Sequence, residues 1–331
     1  MWHSISASYS PSPSTTRVGA MLTRDEVIWG FRYILGRNPE SETVISAHQH
    51  FPDYQRFREA LFRSEEFRNA QKLINFSAEK WVCTEVYNGR YRLWIDLSDK
   101  YVSYGCLLDN YEPIETEFIR RNVKPGMVAL DVGANIGWHT LGLAQLVTSS
   151  GKVYAFEPRK PTYFYLSRSV RENGLDQSVI LHDLALWDTA GDAHLVWPDG
   201  TENPGGSFIS DARCNYVAAP IKTAKLDDVV ADSIDFIKID IEGAEHRVLS
   251  SSKRVRSDRP IIVSEVHPTQ LQCVSSVSAD EYLAFFHRMD YRCFSLHPSS
   301  YGEELTGFGE GDKLFSVALV PSEKSVDLAR D

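Results

Sequence analysis

The residues best suited to chemistry sit together in Val128 to Ala144, VALDVGANIGWHTLGLA. An apolar run ends in Asp131, Gly133, Asn135 and Gly137 follow, and an apolar helical pattern opens with Trp138 and His139. Such a stretch reads as strand, tight turn and helix. Glycine has no Cβ, so the turn can take positive φ and approach a ligand closely, while the helix start offers unpaired N–H groups. A P-loop would need Lys followed by Ser or Thr after the last glycine, where Trp138 and His139 stand. A dinucleotide site would want G-x-G-x-x-G, but Asn135 replaces the middle glycine and Asp131 would repel a pyrophosphate. The same carboxylate suits a ligand with a positive end, and S-adenosylmethionine carries both an ammonium and a sulfonium.

Further carboxylates end later strands. Glu157 closes VYAFE, twenty positions past Gly137, where an acidic side chain can accept from both hydroxyls of a ribose. Asp240 closes the apolar run IDFIKIDI, which carries Lys238, and Glu242-Gly243-Ala244-Glu245 opens a helix behind it. Ligands of open α/β sheets bind at the carboxyl ends of strands, so Asp240 and Glu242 are expected in the same crevice as Asp131 and Glu157. IIVSEV delivers Glu265 and, one residue on, His267. A reaction in this crevice that releases a proton would need an acceptor, and Asp240, His267 and His139 are the candidates. His139 qualifies because a helix start favours a neutral imidazole. Asp240, Glu242, Glu265 and His267 together offer oxygen-rich ligands, but there is no dedicated ligand loop and no metal is expected.

DVGANIG, FEP at Phe156 to Pro158 and IKIDIEGAE at Ile237 to Glu245 occur in an order that resembles the FkbM family of S-adenosylmethionine-dependent methyltransferases. The resemblance spans roughly residues 112 to 320. It implies an α/β fold: a Rossmann-like, seven-stranded class I methyltransferase sheet with helices on both faces. It also implies an O-methyltransferase acting on a hydroxyl of a sugar, glycan or secondary metabolite. Asp183, just past the third strand, would accept from the adenine amine, and Ala185 would offer its N–H to the ring. The rivals are a nicotinamide-dependent epimerase or reductase, for which no Tyr-x-x-x-Lys is present, and a non-catalytic nucleotide-binding scaffold in glycan assembly.

The elements that must hold these residues follow from pattern. Residues 1–20, SASYSPSPSTT within them, read as a disordered tail. Residues 21–77 read as a small all-α module: Thr23 and Glu26 form a capping box, Val27, Phe31 and Ile34 fall at helical spacing, and Gly36 closes the element. Further helices start at Ser41, Asp53 and Ser64. YILGRNPE and SEEF resemble a short helical module attached to bacterial carbohydrate-active enzymes; a cap over the catalytic domain or a homo-oligomer contact explains it as well.

Residues 78–111 read as a β-hairpin lead-in turning at Asn88-Gly89, residues 112–321 as the methyltransferase domain, and 322–331 as a tail. Within that domain, 115–123 reads as a helix beside the turn, with Glu117 on its solvated face, and the polar stretch 198–215 as a substrate lid.

The 331 residues carry a formal charge of −10, which leaves no basic footprint for nucleic acid. Five scattered cysteines without C-x-x-C spacing suggest neither disulfides nor zinc. No membrane span and no secretory h-region are evident, so a cytoplasmic protein is expected.

Overall fold

The computed structural model describes residues 22–35, 38–64, 67, 80–99, 101–198, 207–209, 216–308 and 315–329. The tail over 1–20, most of the helix expected after Ser64 and nearly all of the 198–215 lid lie outside the described residues. The chain divides into two units, Met1–Ala78 and Glu79–Asp331.

In the first unit the capping box forms as expected: Thr23 accepts from the Glu26 N–H, and the Glu26 carboxylate accepts from the Thr23 N–H. Helix Arg24–Gly30 runs on into a wider π turn, Phe31–Leu35. Helices Glu42–His48 and Tyr54–Phe62 start on Ser41 and Asp53, each accepting from the N–H three residues on. A small core of Val27, Phe31, Ile45, Phe57 and Leu61 holds the unit together. Gly30 lets its helix approach that core, since a Cβ there would stand 2.4 Å from the Phe57 ring.

The second unit is built on a seven-stranded sheet. In chain order its strands are β3 (Val128–Val132), β4 (Lys152–Phe156), β5 (Val179–His182), β10 (Phe236–Ile239), β11 (Ile261–Val266), β12 (Tyr291–Ser295) and β13 (Phe315–Pro321). Across the sheet the order is β12-β13-β11-β10-β3-β4-β5. The five strands from β11 to β5 are parallel, and β13 and β12 run antiparallel at one edge. Parallel strands covered on both faces need nearly continuous apolar sequence, which VALDV, VYAF, FIKI and IIVSEV supply. Leu130 and Ile237 are fully buried on one face and Ala129 and Phe236 on the other, each larger side chain contributing about 1.5–3 kcal/mol. The chain leaves β3 for β4 and β5, then returns to the other side of β3 as β10. The crevice opens at this switch point, where β3 and β10 lie side by side.

Two smaller pieces flank it. The hairpin β1 (Trp81–Val86) and β2 (Tyr91–Asp96) pairs in the register set by its turn at Asn88 and Gly89, both at positive φ. Strands β6 (Ala185–Leu186), β7 (Gly191–Pro198), β8 (Phe208–Ile209) and β9 (Tyr216–Ala224) form a separate sheet in the order β6-β9-β7-β8. The strands on either side of the polar stretch, β7 and β9, are thus partners in a sheet of their own. The expected helix over 115–123 begins earlier, at Pro113, because Pro is preformed for the first helical position.

Candidate active site

The turn after β3 has the geometry its glycines imply. Gly133, Asn135 and Gly137 all have positive φ, at 83°, 48° and 102°. Gly133 N–H and Ala134 N–H both donate to the Phe156 carbonyl, tying the turn to the end of β4. A Cβ on Gly133 would lie 1.9 Å from the Asp240 carbonyl oxygen, so only glycine lets β3 and the segment after β10 come this close. The carboxyl ends of β3 and β10 are thereby locked together.

A cleft opens over this junction. Its walls include Gly133, Asn135, Glu157, Arg159, Asp240 and Glu242, with Phe156, Leu184, Leu186 and Ile209 as apolar surface. The Glu157 carboxylate is only 8% exposed and accepts from the N–H groups of Asn135 (3.0 Å) and Arg159 (2.8 Å). Burial nevertheless pushes it up to about 7. Acidic groups with spare lone pairs, beside apolar walls, suit a ligand with hydroxyls, a positive centre and a flat ring. S-adenosylmethionine has all three.

A second, smaller cavity shares Gly133, Asn135 and Asp240 with the first and is lined further by Val102, Tyr111, Trp138, His139 and Lys238. Lys238 is 4% exposed, and its ammonium donates to Asp240 Oδ2 at 3.1 Å and lies 3.9 Å from Glu112 Oε2. Burial alone would lower it, but Asp240, Glu112, Asp131 and Glu265 raise it far above the usual lysine value. Glu112 meets His139 Nε2 at 2.7 Å. Burial works against its charge, yet Lys238 and His139 hold it well below the usual carboxylate range. Glu265 is pushed up to about 11 by burial and by Asp240, with which it shares a hydrogen bond, so at neutral pH it is the proton-bearing partner. Glu112, Asp240 and Glu265 bring carboxylate oxygens within 4.8 Å of one another, with the lysine as their built-in cation.

The sequence-derived candidates distribute as follows. Gly133, Asn135, Glu157, Ala185 and Asp240 line the main cleft; His139 and Asp240 line the smaller cavity. Gly137, just behind them, caps the helix Trp138–Val147 and leaves room for Leu166, 2.6 Å from where its Cβ would be. Asp131 lines neither cavity. Its Oδ2 accepts from Thr140 at 2.5 Å, while Oδ1 is buried without a hydrogen-bond partner among the described residues, and burial raises its pKa. Asp183 is a half-exposed carboxylate paired with Lys160, outside the lining, where Leu184 and Ala185 stand instead. His267 closes β11 as the cap of helix Pro268–Ser275 and lines neither cavity. Glu117, expected on a solvated face, is partly exposed and pairs with Arg120 and Arg121.

Sequence reasoning gave no role to Glu112, Tyr111 or Arg159, and left Lys238 as a strand residue. A lysine inside an otherwise apolar central strand was itself a signal, because a buried ammonium demands carboxylate partners. Glu112 gave no comparable sign, since its partners His139 and Lys238 come from a helix and a strand farther along the chain.

A seven-stranded sheet in this order, with a glycine turn and acidic strand ends at its switch point, defines a Rossmann-like domain of the S-adenosylmethionine-dependent methyltransferase class. Residues 131–293 match the family model described as Methyltransferase FkbM domain, and this part of the chain is such a domain. Among curated proteins, the tRNA (adenine(58)-N(1))-methyltransferase catalytic subunit of Candida albicans is 36% identical over 73 residues, 22% of each chain. Among solved structures, the methyltransferase FkbM of Methylobacillus flagellatus is similar with a TM-score of 0.40 and 15% identity, over 88% of this chain and 58% of that one. The Pyrococcus abyssi tRNA (uracil-54, C5)-methyltransferase, solved with S-adenosyl-L-homocysteine, gives a TM-score of 0.38 and 14% identity, over 73% and 45%. The chain thus spans under two thirds of each of these three proteins.

Among the described residues no helix is long and apolar enough to cross a membrane.

Proposed function

We propose that this chain transfers a methyl group from S-adenosylmethionine to a hydroxyl oxygen, the resemblance pointing to a sugar, glycan or glycosylated metabolite as acceptor. One observation supports the reading above the others: Glu157, Asp240 and Glu242 line a single cleft together with Gly133 and Asn135 of the turn after β3. Glu157 would take the ribose hydroxyls, Asn135 and the Gly133 backbone would flank the ligand's middle, and Leu184, Ala185 and Leu186 would sandwich the adenine. Asp240, shared by both cavities, would stand beside the positive sulfur.

The cofactor supplies an already activated methyl group, so the residues mainly align the acceptor and exclude water. The ammonium of Lys238 donates to Asp240 and helps to keep Glu112 ionised in a buried setting, which preserves negative potential towards a cationic ligand. We place the reaction in the cytoplasm, on an intermediate of glycan assembly, and give residues 21–77 an accessory role.

The test incubates purified protein with isotopically labelled methyl donor and a panel of methyl glycosides, followed by mass spectrometry. An alkali-stable methyl ether supports the reading. An N-methyl or alkali-labile ester product contradicts the hydroxyl assignment.

A further inference from the structure

The two carboxylates at the reaction end, Asp240 and Glu242, are not equivalent. Asp240 is committed: Oδ2 accepts from Lys238, and the carboxyl group shares a hydrogen bond with Glu265. Glu242 lines the same cleft, and its carboxyl has no hydrogen-bond partner among the described residues. Its backbone has φ 52°, a left-handed conformation that is strained for a non-glycine residue and persists only where the surroundings impose it.

They do impose it. The Asp240 carbonyl is pinned against Gly133, and a Cβ on Gly243 would lie 2.3 Å from the Gln270 carbonyl. The buried Glu245 carboxylate accepts from Ile241 N–H (2.9 Å) and Gly243 N–H (3.3 Å), fastening the loop from inside. The loop is clamped on three sides, and it carries Glu242, which lines the cleft.

Resting on the hydroxyl-methylation reading, we propose that Glu242, rather than Asp240, His139 or His267, is the proton acceptor of the reaction. As the acceptor oxygen bonds to the methyl carbon and the carbon–sulfur electron pair stays on sulfur, the hydroxyl proton passes to the Glu242 carboxylate. The product ether and neutral S-adenosylhomocysteine leave, and the proton is lost to water.

The charges around Glu242 make this a switch set by the cofactor. Burial, then Asp240 and Glu245, push Glu242 up to about 8, against the opposing pull of Lys238. Glu157 and Arg159 are the remaining charged groups on the cleft wall. At pH 7 the free protein therefore favours the protonated form of Glu242. A sulfonium arriving beside it favours the carboxylate and expels that proton, so the base becomes competent only once the methyl donor is seated.

The experiment is calorimetric titration at pH 7 with S-adenosylmethionine and, separately, S-adenosylhomocysteine, in buffers of different ionisation enthalpy, which reads protons released on binding. The two ligands differ chiefly in the sulfonium charge. The wild type is expected to release most of one proton more with S-adenosylmethionine. Glu242→Gln should bind both ligands and lose that difference. Glu242→Asn, whose residue tolerates the left-handed conformation, is the second variant should the first fold poorly. An excess proton that persists in both variants, or one absent from the wild type, overturns the proposal. If the wild type binds neither ligand, it is the methyltransferase reading itself that falls.

Discussion

Lys238→Met removes the ammonium buried among Asp240, Glu112, Asp131 and Glu265 while keeping most of the side-chain volume. With N···O distances of 3.1 and 3.9 Å to two of these carboxylates, the ammonium is a close partner in a setting of little solvent screening. Breaking a buried pair from one side typically costs about 3–5 kcal/mol, because the remaining charges stay buried without compensation. For a unit of this size, at about 2–4 °C per kcal/mol, the melting temperature should fall by roughly 6–20 °C.

The loss should also depend on pH. Glu112 is depressed in the folded wild type, so its ionised form adds stability above the unfolded carboxylate value of about 4.5, and that contribution is lost as pH falls through the depressed value. Without Lys238 its folded pKa rises, and folding then favours the protonated acid. The variant is therefore expected to be weakest at pH 7–8 and to recover part of its deficit near pH 5. Differential scanning fluorimetry from pH 5 to 8 measures this. A variant melting within about 2 °C of the wild type at pH 7.5, or one with a deficit independent of pH, would refute the buried-cation reasoning.

Gly133→Ala combines φ 83° with a contact of 1.9 Å to backbone, so it should separate β3 from the Asp240 segment; loss of S-adenosylhomocysteine binding with a lowered melting temperature is expected in calorimetry and fluorimetry. Glu157, held at about 7 in the free protein, accepts from ribose hydroxyls best when ionised, so affinity for S-adenosylhomocysteine should rise between pH 6 and 8 and flatten in Glu157→Gln. Tyr87→Phe deletes the hydroxyl that donates to the Trp138 carbonyl at 2.8 Å beneath the helix start; a loss of about 1–3 kcal/mol in denaturant unfolding is expected, with the ring stack on Trp138 retained.

Local signals made much of this legible. The VALDVGANIG run announced its strand, its left-handed turn and its helix because glycine and asparagine tolerate positive φ and apolar runs report burial. Glu157 and Asp240 were found because a charge at the end of an apolar strand marks the carboxyl edge of a parallel sheet. What stayed hidden depends on tertiary pairing. Asp183 meets Lys160, and Glu112 meets His139 and Lys238, through approaches that no spacing rule encodes. The same holds for the second sheet, whose short strand β6 pairs in parallel with β9, Ala185 facing Thr223. Asp131 shows the limit from the other side: its position in the motif suggests ligand contact, whereas its side chain turns to Thr140.

The most direct test of the cofactor cleft is calorimetry of the full chain with S-adenosylhomocysteine beside NAD, repeated on Glu157→Ala. Micromolar binding of S-adenosylhomocysteine, about −8 kcal/mol, with no heat from NAD and at least a tenfold loss in the variant, is the expected result. Binding of NAD, or S-adenosylhomocysteine affinity unchanged by Glu157→Ala, would contradict it.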